Sequence, residues 1–399
     1  MRIGHKQLPS IYNVLGFLLI VSIMAFNEEK YLTYPIKIIF ILIFGLYWLK
    51  TSSGRVNLYQ FWCILMCIFS VIAVFVADDS GRAIHTLVNV LQVFLIAFVL
   101  SAYLTDQGKI ELYLKFFVFG GLILFFRLLI KTPMSVWTSF NRLGETIGYN
   151  ANDVGNKAAI AAIISICLFK NKEQPYRKIY LIIFVFMNIV VLFSGSRKAL
   201  LAVIIAVIFI YTVGLENKKN LVFSIIALCI ILNISYHFIM TNESLYMTIG
   251  RRIESMINVI FHGGSEASSI DLREKYMSMA WSYIKDSPLI GIGLGNFASK
   301  SGLGIYCHSD YLEVMCSYGI PVAFFYYFPL IRLVFRSILK KRKDETDYSM
   351  IIISLVLLMS FVTMVMYISA YTQIIIAIVY AYFNIATDEK KIVQKKSKK

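Results

Sequence analysis

Apolar runs of about 20 residues, bounded by charged or polar clusters, recur along the whole of this chain. Twelve such runs are expected to be helices: 11–27, 34–50, 58–77, 84–104, 111–130, 156–169, 179–194, 199–214, 221–240, 309–331, 349–367 and 372–386. An even number of spans places both termini on one side of a membrane. Two polar stretches interrupt the series, about 131–155 and about 241–307. The longer one is patterned. Ile249, Ile253, Met256 and Ile260 fall at helical spacing, as do Leu272, Tyr276, Met279 and Tyr283, with "FHGGSEASS" (261–269) as a flexible turn between them. The expected architecture is all-α and polytopic, with about twelve transmembrane helices and a helical extracytoplasmic loop. Nine helices lie within 1–240, the large loop covers 241–307, three helices lie within 308–386, and 387–399 is a basic cytoplasmic tail. The paired amphipathic helices are expected to lie on the membrane surface. No internal repeat is evident.

Composition supports a membrane reading. The 399 residues are 58% hydrophobic and 16% charged, with a mean hydropathy of +0.71. A soluble domain of this length needs more polar surface than that. The segment "MRIGHKQLPS" with the apolar run after it looks superficially like a signal peptide. No small-x-small cleavage site follows, so a retained first transmembrane helix is expected. Of the six cysteines, Cys63, Cys67, Cys167, Cys229 and Cys316 lie inside apolar runs and read as buried thiols. Cys307 beside His308 looks like half a metal site, but no second pair at ligand spacing lies nearby, and no metal is expected.

The net charge of +16 raises the question of nucleic acid. The lysines and arginines cluster in short stretches between apolar runs, which fits membrane orientation and excludes a nucleic-acid face. With the N-terminus inside, the inner segments hold 23 Lys and Arg, and the short outer segments hold six. Both termini are therefore expected in the cytoplasm. "RSILKKRK" and "KKIVQKKSKK" read as topology signals in contact with lipid headgroups.

Positive charge on the outer side runs against that rule and asks for a reason. In "FSGSRKALL" (193–201), Arg197 and Lys198 cap two spans joined by almost no loop. They either snorkel to the interface or bind an anion such as phosphate. Arg251, Arg252 and Arg273 stand in the large loop with Lys275, Lys285 and Lys300. Arg273 stands out, because it opens the second amphipathic helix beside the small-residue turn. "SPLIGIGLGNF" (287–297) lacks the spacing and the preceding strand of a dinucleotide fingerprint, and reads as a tight turn making a close approach. In "HSDYLEVM", Asp310 and Glu313 fit a capping box opening the tenth span. That accounts for the two carboxylates and leaves His308 unexplained. A neutral imidazole at the boundary could accept a proton from a sugar hydroxyl. His5, His85, His237 and His262 have no comparable polar neighbourhood.

In order, "SGSRKALL", "LREKYMSMAW", "SPLIGIGLGNF" and "HSDYLEVMCSYGIPV" resemble the motif series of the O-antigen polymerase and O-antigen ligase superfamily of bacterial envelope polysaccharide synthesis. "FNRLGETIGYNANDVG" (140–155) is similar to that family's Arg, Gly and Asn-rich outer loop. The resemblance covers about 190–330, and the first 130 residues share only hydropathy. Lys198 stands where a Gly is common, and Pro321 replaces a second Gly.

The resemblance implies that Arg197, Arg273 and His308 are catalytic. Arg142, Lys198, Arg251, Arg252, Asp310 and Tyr311 are expected to bind substrate. It implies undecaprenyl-diphosphate-linked oligosaccharides as substrates, handled in the cytoplasmic membrane without metal or cofactor. Membrane lipid, a chain-length regulator and a flippase are the further partners. Polymerase and ligase differ in the acceptor, another lipid-linked repeat unit or the lipid A core. A polymerase is favoured because the chain is divergent and its Lys, Ile and Asn usage suggests a capsule maker. The rival of another class is a lipid-linked oligosaccharide flippase. A transporter should line its midplane with charge, and here Lys37, Lys115 and Arg127 stand within or near spans with almost no carboxylate.

Overall fold

In the computed structural model, the described residues are 10–52, 54–137, 142–212, part of 226–258, 267–339 and 345–396. Every regular element among them is helical. Leaving aside one-turn helices, the first eight are α1 (Ser10–Ala25), α2 (Lys30–Ser52), α3 (Leu58–Val76), α4 (Ser80–Gln107), α5 (Ile110–Lys131), α6 (Ala151–Lys170), α7 (Arg177–Ser194) and α8 (Arg197–Thr212). They are followed by α9 (Ala267–Asp286), α10 (Asp310–Tyr318), α11 (Ile320–Ile338), α12 (Glu345–Phe361) and α13 (Ala370–Lys396).

Helices α2 to α7 are each long and apolar enough to cross a membrane, and shorter apolar helices cover Ile11–Ala25, Ile320–Phe335 and Ala370–Ile385. With large apolar side chains facing outward, such as Phe75 at 85% and Leu46 at 67% exposure, this is a polytopic membrane protein. The expected span 221–240 lies mostly outside the described residues, as do Met256, Ile260 and Cys229.

Helix starts follow local chemistry. Asn57 and Gln60 form a reciprocal capping box on α3, and Asp79 caps α4 through the Arg82 backbone N–H at 3.0 Å. Asn150 caps α6 by accepting from the Asn152 and Asp153 N–H groups. In the core, α6 packs against α5, α7, α8 and α12, while α4 packs against α2, α3 and α13.

The structure corrects three expectations. The run 309–331 is not one helix but α10 and α11, broken at Gly319. There φ is +82°, a region that favours glycine, and a Cβ would stand 2.3 Å from the Leu289 carbonyl oxygen. Hydropathy averages over such a break.

The second amphipathic helix is present as α9, but protein covers its apolar stripe. Tyr276, Ala280 and Ile284 form a small core with Ile292, Phe297, Cys307 and Cys316, whereas Leu272 points away at 47% exposure. This core crosses residue 307, so the loop and α10 pack as one body.

Asp310 and Glu313 form no capping box. Ser309 is the N-cap, with no side-chain cap bond, and the two carboxylates serve other partners.

Candidate functional site

Four separate segments build the site. The α7–α8 connection is the two residues Gly195 and Ser196, so α8 begins at Arg197 directly after α7 ends. Arg197 and Lys198 are half-buried, and the Lys198 ammonium donates to the Thr363 carbonyl between α12 and α13. The Ser196 hydroxyl is buried and has no hydrogen-bond partner among the described residues.

The 142–150 loop docks on this turn. Leu143 N–H donates to the Phe193 carbonyl at 3.0 Å. Arg142 donates from Nε to the Ser194 carbonyl at 3.0 Å and from Nη2 to Asn152 Oδ1 at 2.7 Å. It also pairs with Glu145 at 3.4 Å. Burial holds the Arg142 pKa below its ordinary value. Glu145 opposes that shift, while Arg273 and Arg197 add to it.

The third segment is α9, which carries Arg273 on an exposed face. Its position is set by "GIGLG", and the expected close approach is to helices. Ile292 N–H donates to the Cys316 carbonyl at 2.7 Å, Leu294 N–H to the Ala73 carbonyl at 3.0 Å, and Ile320 N–H to the Pro288 carbonyl at 2.8 Å. At Gly293, φ is +100°, and a Cβ would lie 2.5 Å from the Ala77 backbone. Arg82 Nη2 donates to the Gly304 carbonyl at 2.7 Å, and Ser299 donates to Asp79 at 2.6 Å. The whole segment is stapled to the α3–α4 turn.

The fourth segment presents His308. Its φ is +63°, and among the described residues Tyr176 is the other non-glycine residue with positive φ. Such backbone costs about 1–3 kcal/mol, persists only where the surroundings impose it, and clusters at functional sites. Here it sets the imidazole against the Tyr276 ring, stacked at 5.5 Å, and against Tyr306, edge-on at 4.8 Å. The imidazole is half-buried, and its pKa is pushed below 6.5, first by burial and then by the positive charges of Arg273 and Lys198. The shift favours the neutral imidazole, the form able to accept a proton.

Arg142, Arg197, Lys198, Arg273 and His308 therefore share one electrostatic neighbourhood. Arg251 is exposed, and its charge acts on Tyr246. Arg252 lies outside the described residues.

Asp310 is wholly buried. One carboxylate oxygen accepts from Met366 N–H at 2.6 Å and Tyr367 N–H at 2.8 Å, and the other from the Tyr327 hydroxyl at 2.8 Å. It clamps the α12–α13 connection to α10. Glu313 reaches back to the Cys307 N–H at 3.0 Å, which holds the turn carrying His308. Tyr311 donates to the Leu358 carbonyl at 3.0 Å, and its ring lies 4.5 Å from that of Tyr327.

Sequence reasoning did not single out Tyr276 or Tyr306 as partners of the imidazole, nor Asp153 and Lys157. The one available signal for the last two is their i,i+4 spacing in "NDVGNK".

These features define a polytopic helical membrane protein in which a cluster of cations shares its electrostatic neighbourhood with a half-buried histidine. Residues 182–327 match the O-antigen ligase family model. That stretch runs from α7 into α11 and holds Arg197, Lys198, Arg273 and His308, so it bears out the resemblance to the O-antigen ligase and polymerase superfamily. No curated protein matches the chain.

Proposed function

We propose that this protein is a glycosyltransferase that moves glycan from a lipid-diphosphate donor to a sugar hydroxyl. Its place is the outer face of the bacterial cytoplasmic membrane, with both termini inside. The observation that carries this reading is a half-buried histidine on left-handed backbone, its pKa lowered by burial and by the charges of Arg273 and Lys198, with Arg142 and Arg197 in the same electrostatic neighbourhood.

The chemistry follows from charge. His308 takes the proton of the acceptor hydroxyl, whose oxygen attacks the anomeric carbon. The bond from that carbon to the diphosphate oxygen breaks, and the lipid diphosphate leaves with the electron pair. Arg197 and Arg273 stabilise the charge that develops on it. Arg142 and Lys198 bind the same anion, with Arg142 also anchoring the turn that carries Arg197. Direct displacement inverts the anomeric centre.

Within this class we favour a repeat-unit polymerase joining undecaprenyl-diphosphate-linked oligosaccharides for O-antigen or capsule, working beside a chain-length regulator and a flippase. The second reading is a ligase acting on lipid A core, and the description of the matching family model favours it.

The test is polymer length on a gel from cells carrying His308→Ala, Arg197→Ala or Arg273→Ala at normal membrane levels. Loss of long polymer is expected, and unchanged polymer refutes the assignment. Single capped repeat units accumulate if a polymerase is lost, and free lipid-linked polymer if a ligase is lost. Lipid-linked units held on the inner leaflet would make the protein a flippase.

A further inference from the structure

Below the arginine rim lie two lysines that the reaction above leaves unused. Lys37, on the second turn of α2, is 8% exposed, and its ammonium donates to Gln92 Oε1 of α4 at 3.2 Å. Lys157, on the second turn of α6, is 4% exposed and pairs with Asp153 at 2.7 Å. The two ammonium groups are within coulombic range of each other. They stand six or seven residues inside their helices, about 10 Å from the helix starts at the rise of a helix. Both side chains reach back toward those starts. Lys37 lies 5.4 Å from the Tyr34 ring, and Lys157 reaches Asp153 one turn earlier.

This pair is continuous with the rim. Asp153 acts electrostatically on Tyr306, whose ring abuts His308. Asn152, beside it, accepts from Arg142. Lys157 is paired with Asp153, whereas the hydrogen-bond partner of Lys37 is the neutral Gln92 amide, and a protonated Lys37 so placed is costly in a membrane interior unless an anion meets it.

We propose that Lys37 and Lys157 form a second anion subsite, which holds the lipid-side phosphate of a polyprenyl diphosphate. The inference rests on the proposed glycosyltransferase reading and extends its site. Geometry sets the order of the two phosphates. The sugar-side phosphate lies at the rim with Arg197 and Arg273, in reach of His308. The lipid-side phosphate must lie deeper, because its isoprenoid chain enters the bilayer. The lysines sit on that side, and they hold the leaving group as the glycosyl bond breaks.

The test is binding by the full-length protein in nanodiscs, read by native mass spectrometry against sugar-free undecaprenyl diphosphate, inorganic pyrophosphate and phosphatidylglycerol. The proteins compared are wild type, Lys37→Gln, Lys157→Gln and Lys157→Arg. The double variant Asp153→Asn/Lys157→Gln removes the ion pair without leaving its carboxylate unpaired.

Each glutamine variant should weaken undecaprenyl diphosphate by at least about tenfold, while Lys157→Arg retains most of the affinity. Pyrophosphate should bind more weakly than the lipid with the same lysine dependence, and phosphatidylglycerol should show none. Wild-type affinity in both glutamine variants and in the double variant overturns this inference and leaves the proposed function standing. Lysine-dependent binding of phosphatidylglycerol makes the subsite a headgroup site and overturns the diphosphate assignment. A wild-type protein that binds no lipid diphosphate removes the subsite and the proposed function together.

Discussion

His308 and Asp310 stand two residues apart in opposite surroundings. Asp310 is wholly buried, and three donors satisfy its two oxygens. His308 is half-buried, sits on left-handed backbone, and faces a group of cations. A satisfied buried carboxylate contributes shape: it ties α10 to the α12–α13 connection and so fixes where the next turn points. A half-buried histidine on strained backbone beside cations that oppose its protonation contributes little to stability, so its placement calls for another reason. The contrast separates scaffold from chemistry within a single short motif, and mutation should separate them in the same way.

The largest effect is expected at the histidine. His308→Ala should lower transfer by about 10²–10⁴-fold while leaving thermal stability near wild type, as read by an in vitro transfer assay and a melting curve. Next come the guanidinium groups. Arg197→Ala and Arg273→Ala should each cost about 10²–10³-fold in rate, and Arg273→Lys should recover only part, because an ammonium lacks the planar fork.

The carboxylate side should behave in reverse. Asp310→Ala leaves two backbone N–H groups and a tyrosine hydroxyl without their acceptor, a loss on the order of 3 kcal/mol in stability. Activity per folded molecule should stay close to wild type. A folded Asp310→Ala protein with greatly reduced turnover would place this carboxylate with the chemistry instead. Gly319→Ala should also destabilise, by about 1–3 kcal/mol, because its backbone conformation and the Leu289 carbonyl both oppose a side chain.

The smallest effect is a pH shift. Removing Arg273 takes away a charge that lowers the His308 pKa, so the acid limb of activity in Arg273→Ala should move to higher pH. The sign for stability agrees. With the folded pKa below 6.5, the contribution of the neutral imidazole is fully present above that value and is lost as pH falls through the folded pKa.

Much of this contrast could be read before the fold was known, for identifiable reasons. Arg197, Arg273 and His308 stood out because cations and an imidazole at an outer boundary go against what hydropathy and orientation expect. The helices announced themselves through run length. What escaped was geometry between segments. The Asp-x-x-Glu spacing at 310–313 has the form of a capping box, and nothing local shows that Ser309 takes the cap while Asp310 reaches Met366 and Tyr367. The break at Gly319 lies inside an unbroken apolar run, so only the backbone shows it. Lys37 and Lys157 come from helices far apart in the chain, and neither lysine alone signals the other.

The most direct measurement is the pH dependence of single-turnover glycan transfer by purified wild type and His308→Ala in nanodiscs, with a lipid-diphosphate-linked donor. The account predicts a wild-type acid limb with an apparent pKa below 6.5, absent from a variant slower by at least about 100-fold. A wild-type rate that stays flat through the acid range, or a variant within about tenfold of wild type, would contradict it.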